Sequence, residues 1–337
     1  MSVTINDVAL AAGVSKGAVS HALNGNAGVS EATRARILKV AKELGWKPSL
    51  RAKGLSSAKA FALGLVVARD PKLLGTDPFF PAFIAGVEST LVEHDYVLVL
   101  ASASGPDQEA ESYRKLIGDG RVDGVLLTDV RTRDPRIGLL QELGMPAVTL
   151  NRPEDFSPFP AVCMDDTGGI AAATKHLISL GHRRIAHVGG PQTYIHGRSR
   201  RRAWESEMNA AGLAAGMFIE SDFTAAAGAG ATAQLLQQQG RPTAIVFAND
   251  VMAIAGLSYA QSVGIRVPED LSITGYDNTE LASFINPPLT TISTDPVRWG
   301  RVAAQVLLDL LNGNRDEDII LPEPNLVLGG SSGPAPD

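Results

Sequence analysis

Apolar and polar positions alternate along this chain in two distinct rhythms. Near the start, Ile5, Val8, Ala9 and Ala12 fall at i, i+3, i+4 and i+7, one face of a helix. Thr4 can cap that helix, and Asp7 in its first turn suits the positive helix end. Gly13 can supply the left-handed conformation that ends it. Ser15 is a good cap for a second helix running to about Asn24. Val19, Ala22 and Leu23 face inward there, while Lys16, Ser20 and Asn24 share the other face with Gly17 and His21. Ser30 caps a third helix with the stripe Ile37, Leu38, Ala41 and Leu44, and Gly45 stops it.

From residue 61 the rhythm changes. Short β-rich runs, ALGLVVA, YVLVLAS, GVLLTD and AVTLN, alternate with helical stretches and read as parallel strands buried on both faces. The pattern repeats with RIAHVGG, FIESD, TAIVFAND and LSITGYDN. The expected fold is a small all-α helix-turn-helix head on an α/β body of two doubly wound parallel-sheet lobes. A final helix at about Pro296 to Leu311, with strands near IILPEP and NLVLGG, is expected to cross back between the lobes. The expected division is 1–47 for the head, 48–60 for a hinge segment and 61–337 for the body.

Charge sharpens this division. The chain of 337 residues has a net charge of −6, yet residues 1–60 carry nine Lys/Arg against three acids. The head is thus +6 and the remainder −12. That split suits a polyanion-binding module on a body that does not bind polyanions. The single cysteine, Cys163, excludes an internal disulfide and fits a reducing cytoplasm. Residues 1–15 do not read as a signal peptide, and no run of about 18 apolar residues suggests a membrane span.

A short helix, a tight turn and a second helix with a polar, cationic face make a helix-turn-helix, whose second helix enters the major groove. The stretch TINDVALAAGVSKGAVSHALNG, followed by VSEATRARILKVAKELGWKPS, resembles the head of the lactose/galactose-repressor family of bacterial transcription factors. The resemblance covers the first 60 residues. It implies that Lys16, Gly17, Ala18, Ser20, His21 and Asn24 occupy the DNA-reading helix. Thr4, Ser15 and Ser30, at the helix starts, join the expected DNA-facing set. Gly17 and Ala18 cannot make bidentate base contacts, so base readout leans on Lys16 and His21.

Residues 48–57, PSLRAKGLSS, join head to body. In the resembled family this segment becomes a short hinge helix, and a leucine from each of two subunits wedges into the minor groove. The matching residue is Leu55, with Ser56 beside it. So short a helix is unstable alone, so its ordering is expected to be coupled to DNA binding.

In the body, polar residues follow the apolar strands: Thr128-Asp129, Asn151-Arg152, Asn249-Asp250 and Asp277-Asn278. Ligands of such sheets sit at strand carboxyl ends. Amides, carboxylates and an arginine suit the hydroxyls of a sugar, each needing a partner once buried. Phe79, Phe80 and Phe223 are candidates for an aromatic face. The resemblance continues through DPFFPAFIAGVE, LGHRRIAHVGG, FANDVMAIAGL, VPEDLSITGYDN and PPLTTISTD, which are similar to the family's regulatory domain, itself like periplasmic sugar-binding proteins. It implies an effector cleft containing Phe79, Thr128 or Asp129, Asn151, Arg198, Phe223, Asn249 and Asp277. In that picture Arg198 and Asp277 bracket the ligand's hydroxyls and Phe223 stacks on it. Arg200 to Arg202 are expected on a solvated helix face, although the basic run keeps a phosphorylated ligand open.

Three motifs are set aside. GAGATA (228–233) lies in an alanine-rich helical stretch, not at a strand-to-helix turn, which disfavours dinucleotide binding. GGSSG (329–333) has no following helix or histidine to make a hydrolase elbow. His176, His182, His187 and His196 lack metal spacing and are expected to be structural or surface residues. No catalytic constellation, metal or cofactor is expected. The expected function is that of a cytoplasmic transcriptional regulator, most simply a repressor, with a pseudo-palindromic DNA operator and a small carbohydrate effector as partners. A purine, a sugar phosphate or a protein corepressor are alternative signals. A sugar-binding protein without a regulatory role is the reading from another class. One reading helix recognises one half-site and GSSGPAPD carries no leucine heptads, so a homodimer without membrane attachment is expected.

Overall fold

The computed structural model describes residues 3–23, 28–46, 59–69, 71–314 and 317–336. The chain divides into two compact units, Met1–Phe61 and Ala62–Asp337.

The first unit holds three helices, α1 (Ile5–Ala12), α2 (Lys16–Leu23) and α3 (Glu31–Glu43). The backbone N–H and hydroxyl of Thr4 donate to Asp7 Oδ2 at 2.8 and 2.7 Å, which ties down the start of α1. Gly13 adopts φ 62°, ψ 40°, and this left-handed residue lets the chain turn directly into α2. Ser15 Oγ accepts from Ala18 N, and Ser30 Oγ from Thr33 N. Val8, Ala9, Ala12, Val19, Ala22, Ile37 and Ala41 form the core. Each large side chain so buried contributes about 1.5–3 kcal/mol. The expected stripe on the third helix is narrower than read. Ile37 and Ala41 are buried, whereas Leu38 and Leu44 are 47% and 38% exposed. Three short helices cannot enclose a four-residue stripe, so its edges stay in water.

The second unit contains two parallel sheets. The six-stranded sheet has the order β11-β5-β4-β3-β1-β2, from β1 (Ala62–Val67), β2 (Val97–Ser102), β3 (Gly124–Leu127), β4 (Ala147–Leu150), β5 (Ala161–Cys163) and β11 (Ile319–Ile320). The four-stranded sheet has the order β7-β6-β8-β9, from β6 (Ile185–Gly189), β7 (Phe218–Glu220), β8 (Ala244–Phe247) and β9 (Ser272–Thr274). Strand β1 is buried along its whole length, as a central strand covered on both faces must be. Strand β2 departs from that expectation: it is an edge strand, with Val97 and Leu100 half-exposed. The three-residue β5 follows a proline-containing loop and is too short to show in the sequence pattern.

Helix α8 (Asp166–Ser179) follows the first crossing between lobes and packs in the second lobe with Ile185, Trp204 and Tyr276. Strand β10 (Thr291–Ser293) leads into α12 (Pro296–Leu311), which returns to the first lobe. There α12 packs against α5 (Phe79–Glu93). Strand β11 then joins the first sheet, and β12 (Asn325–Val327) crosses again to pair antiparallel with β10. The chain thus passes between the lobes three times, and the parallel strands of both point their carboxyl ends at one cleft.

Candidate functional site

The cleft holds a cavity of about 560 Å³, a volume that includes space open to solvent. Its walls are strand ends and helix starts. Four wall residues have left-handed backbone without being glycine: Asp129 (φ 50°), Asn151 (φ 68°), Phe223 (φ 70°) and Asp277 (φ 113°). Asn and Asp tolerate this region, whereas a phenylalanine there is unusual and costs of order 1–3 kcal/mol. Close approach makes room for it. A Cβ on Gly190 would sit 1.9 Å from Cζ of Phe223, so only glycine fits beneath that ring.

At one end stands Arg200 of α9 (Ile195–Ala210). Its side chain is buried, and Nη2 and Nε donate to Asp166 Oδ1 at 2.7 and 3.1 Å. Nη1 donates to the Ala248 carbonyl at 2.7 Å, and the guanidinium lies 3.8 Å from the Tyr276 ring centroid. Asp166 Oδ2 accepts from Asn151 Nδ2 at 2.6 Å, and Asn151 Oδ1 accepts from Met164 N at 2.7 Å. Burial pushes the Asp277 carboxyl well above the usual carboxylate range, against the opposing pull of Arg200.

At the other end, Arg69 follows β1. Its Nε donates to Asp129 Oδ2 at 2.6 Å, Nη2 donates to Asp129 Oδ1, and Nη1 donates to Asp77 Oδ2 at 3.2 Å. Asp77 Oδ1 also accepts from Phe79 N at 3.0 Å. Arg69 holds the Asp129 carboxyl below its ordinary value despite burial. Burial pushes His196 down to about 4, so it is neutral at pH 7; its ring stacks with Phe223 at 5.6 Å. Behind the wall, Arg136 Nη2 donates to the carbonyls of Thr128 and Asp129, both at 3.0 Å, and Nη1 to Glu109 Oε1 at 2.9 Å. This buried ion pair fixes the end of β3 from outside the cavity.

Seven of the eight effector residues read from the sequence line this one cavity: Phe79, Thr128, Asp129, Asn151, Phe223, Asn249 and Asp277. Asn249 also caps α11 (Asp250–Ser262), accepting from Met252 N at 2.9 Å. Arg198 is not among the lining residues. It donates instead to Thr132 Oγ1 and Glu154 Oε2 at 2.6 and 3.0 Å. Of the basic run it is Arg200, expected on a solvated helix face, that lines the cavity. Two residues of helix amount to about 200° of rotation, and Arg200 belongs to the inward row with Trp204 and Met208. His196, expected to be structural or superficial, shares that cavity-facing row at i−4 from Arg200. Arg69, Asp77, Asp166 and Trp299 were missed. Arg69 carried a signal, since it follows an apolar strand just as Thr128 and Asp129 do.

In the first unit, Lys16, Gly17 and His21 lie exposed on α2, and Ala18 and Ser20 are half-buried. The cap residues Thr4, Ser15 and Ser30 are exposed. Asn24, Leu55 and Ser56 lie outside the described residues. GAGATA falls within helix α10 (Ala225–Leu236), away from any strand-to-helix turn. Ser331 of GGSSG is buried, and its hydroxyl donates to the Ile273 carbonyl at 2.6 Å, a structural use. Among the described residues no helix is long and apolar enough to cross a membrane.

Residues 4–49 match the model of bacterial regulatory proteins of the lacI family, and residues 174–332 match a periplasmic binding protein-like domain. The HTH-type transcriptional regulator CelR of Thermobifida fusca is 34% identical over 324 residues, which cover 94% of each chain. The HTH-type transcriptional repressor PurR of Aliivibrio fischeri (strain MJ11) is 33% identical, over 97% of this chain and 98% of its own. A solved CelR–cellobiose complex superposes with a TM-score of 0.76 at 32% identity, covering 98% of this chain and 99% of the other. The lac repressor dimer bound to operator and the anti-inducer ONPF superposes with a TM-score of 0.83 at 27% identity, covering 99% and 100%. A helix-turn-helix head joined to a two-lobed body with a small-molecule cleft defines a ligand-responsive transcriptional regulator. The chain belongs to the lacI family of bacterial regulatory proteins.

Proposed function

We propose that this regulator is a cytoplasmic repressor that binds a pseudo-palindromic operator as a homodimer and answers to a small, neutral carbohydrate held between its lobes. Residues 1–47 read the half-site, 48–60 form the hinge segment, and 61–337 bind effector and partner subunit. In the head, Lys16 and His21 carry base readout. In the cleft, Asn151, Asp277 and Arg200 meet the ligand's hydroxyls, and Phe79 meets its apolar face.

One observation carries the choice of a neutral ligand. Both cleft arginines are already neutralised, Arg69 by Asp129 and Asp77, and Arg200 by Asp166. Asp277 adds a further carboxyl. A phosphate group would enter beside four carboxyls with no uncommitted cation to receive it. The solved CelR complex holds cellobiose, a neutral sugar, in a protein of the same architecture. Effector binding and operator binding are linked, so each changes the other's affinity by the same factor.

Thermal unfolding against neutral mono- and disaccharides, sugar phosphates, hypoxanthine and guanine tests this. A ligand at a hundred times its dissociation constant adds about 2.7 kcal/mol. A response to neutral sugars alone supports the reading. A response to purines or to sugar phosphates replaces it.

A further inference from the structure

Arg69 does more than line the cleft. A second pocket, open to solvent, lies against it, lined by Leu73, Thr76, Pro191, Tyr194 and Asp222 among others. Two residues line both pockets, Arg69 and Phe223. They are in contact, the guanidinium carbon lying over the Phe223 ring 5.1 Å from its centroid. Phe80 and Tyr194 hold the same guanidinium at 5.3 and 5.4 Å. Asp129 grips its edge through two hydrogen bonds and Asp77 through one. The side chain is only 8% exposed. A planar cation fixed at its edge by carboxylates and on its faces by rings is a rigid wall, unlike a mobile surface arginine.

We propose that Arg69 is a specificity-determining residue: with Phe223 it separates the two pockets and confines the effector to the one lined by Asn151, Asp277 and Arg200, so that a carbohydrate extending past Phe223 is rejected. The partition stands on the geometry alone. The carbohydrate part rests on the function proposed above. Asp77, Asp129 and the three rings form a cation cage that the chain fills with its own guanidinium. Shortening residue 69 joins the two pockets and leaves the cage vacant.

The test uses the full-length protein, wild type and Arg69→Ala, with two sets of probes. Ethylguanidinium at millimolar concentration should raise the melting midpoint of Arg69→Ala in a saturable way and leave the wild type unmoved, since its cage is filled. Glucose, cellobiose and cellotriose, titrated by calorimetry, should show cellotriose gaining at least about tenfold on glucose in the variant relative to the wild type, about one tenfold step in binding constant. If ethylguanidinium acts equally on both proteins, or the cellotriose-to-glucose ratio is unchanged, Arg69 is not the partition. If ethylguanidinium raises the variant's midpoint but no saccharide binds either protein, the carbohydrate reading falls, and selection of saccharides by length falls with it. Removing Arg69 leaves two buried carboxylates unpaired. Should Arg69→Ala not fold, Arg69→Ala/Asp129→Asn removes one of the unpaired carboxylates, and its cellotriose-to-glucose ratio is read against that of Asp129→Asn alone.

Discussion

The reading helix of the head and the cleft of the body offer polar groups to a ligand in opposite ways. On α2, Lys16 and His21 stand on an exposed face, and the helix is held by apolar contacts made on its other side. In the cleft the polar groups are themselves structural. Arg200 and Asp166, Arg69 and Asp129, and Asn249 at its helix cap each hold the fold as they shape the cavity. Recognition and stability are therefore separable in the head and fused in the cleft. An exposed cation can change with little effect on folding, whereas one partner of a buried pair cannot.

The sharpest way to break this contrast is Arg200→Ala, which leaves Asp166 buried and uncompensated. The expected loss is about 3–5 kcal/mol of stability, read by urea unfolding with fluorescence of the buried Trp204 and Trp299. Arg200→Met/Asp166→Asn removes both charges and should lose clearly less. Equal losses in the single and double variants would show that the pair is not what holds this region.

Next in size is a pH effect confined to the body. His187 is fully buried, and burial pushes it down to about 4. The unfolded chain takes up a proton below about pH 6.5 while the folded chain does not, so proton uptake favours unfolding. Stability is complete above pH 6.5 and falls towards pH 4, by about 3 kcal/mol from this group at about 1.4 kcal/mol per pKa unit. Unfolding of His187→Gln against pH should have a flatter limb between 6.5 and 4. A limb as steep as the wild type's would assign the slope to other groups.

Ser30→Ala removes the cap of α3 and should cost the head about 1 kcal/mol, seen as a lower melting midpoint reported by Trp46. The smallest stability effect belongs to Lys16→Ala, within about 0.5 kcal/mol. Its effect should appear instead on DNA selected from random duplexes, as a relaxed base preference at one position of the half-site. A stability loss at Lys16 as large as that at Ser30 would erase the distinction between the two regions.

The sequence alone determined whatever depends on neighbours in the chain. Periodicity, caps and glycine stops marked the head's helices, because a helix face is written at i, i+3 and i+4. Strand ends marked Thr128, Asp129, Asn151 and Asp277, because parallel strands of one sheet end on the same side. Only the tertiary structure decided which arginine enters the cleft. Arg198 and Arg200 are alike in composition and two residues apart, and helix rotation turns one to Thr132 and Glu154 and the other to Asp166. It alone brought Arg69 to Asp129 across 60 residues and set Phe80, Tyr194 and Phe223 around it. Partners so far apart leave no spacing to read, because their distance in space is set by the crossing of strands and the approach of two lobes, and neither is a local property of the chain.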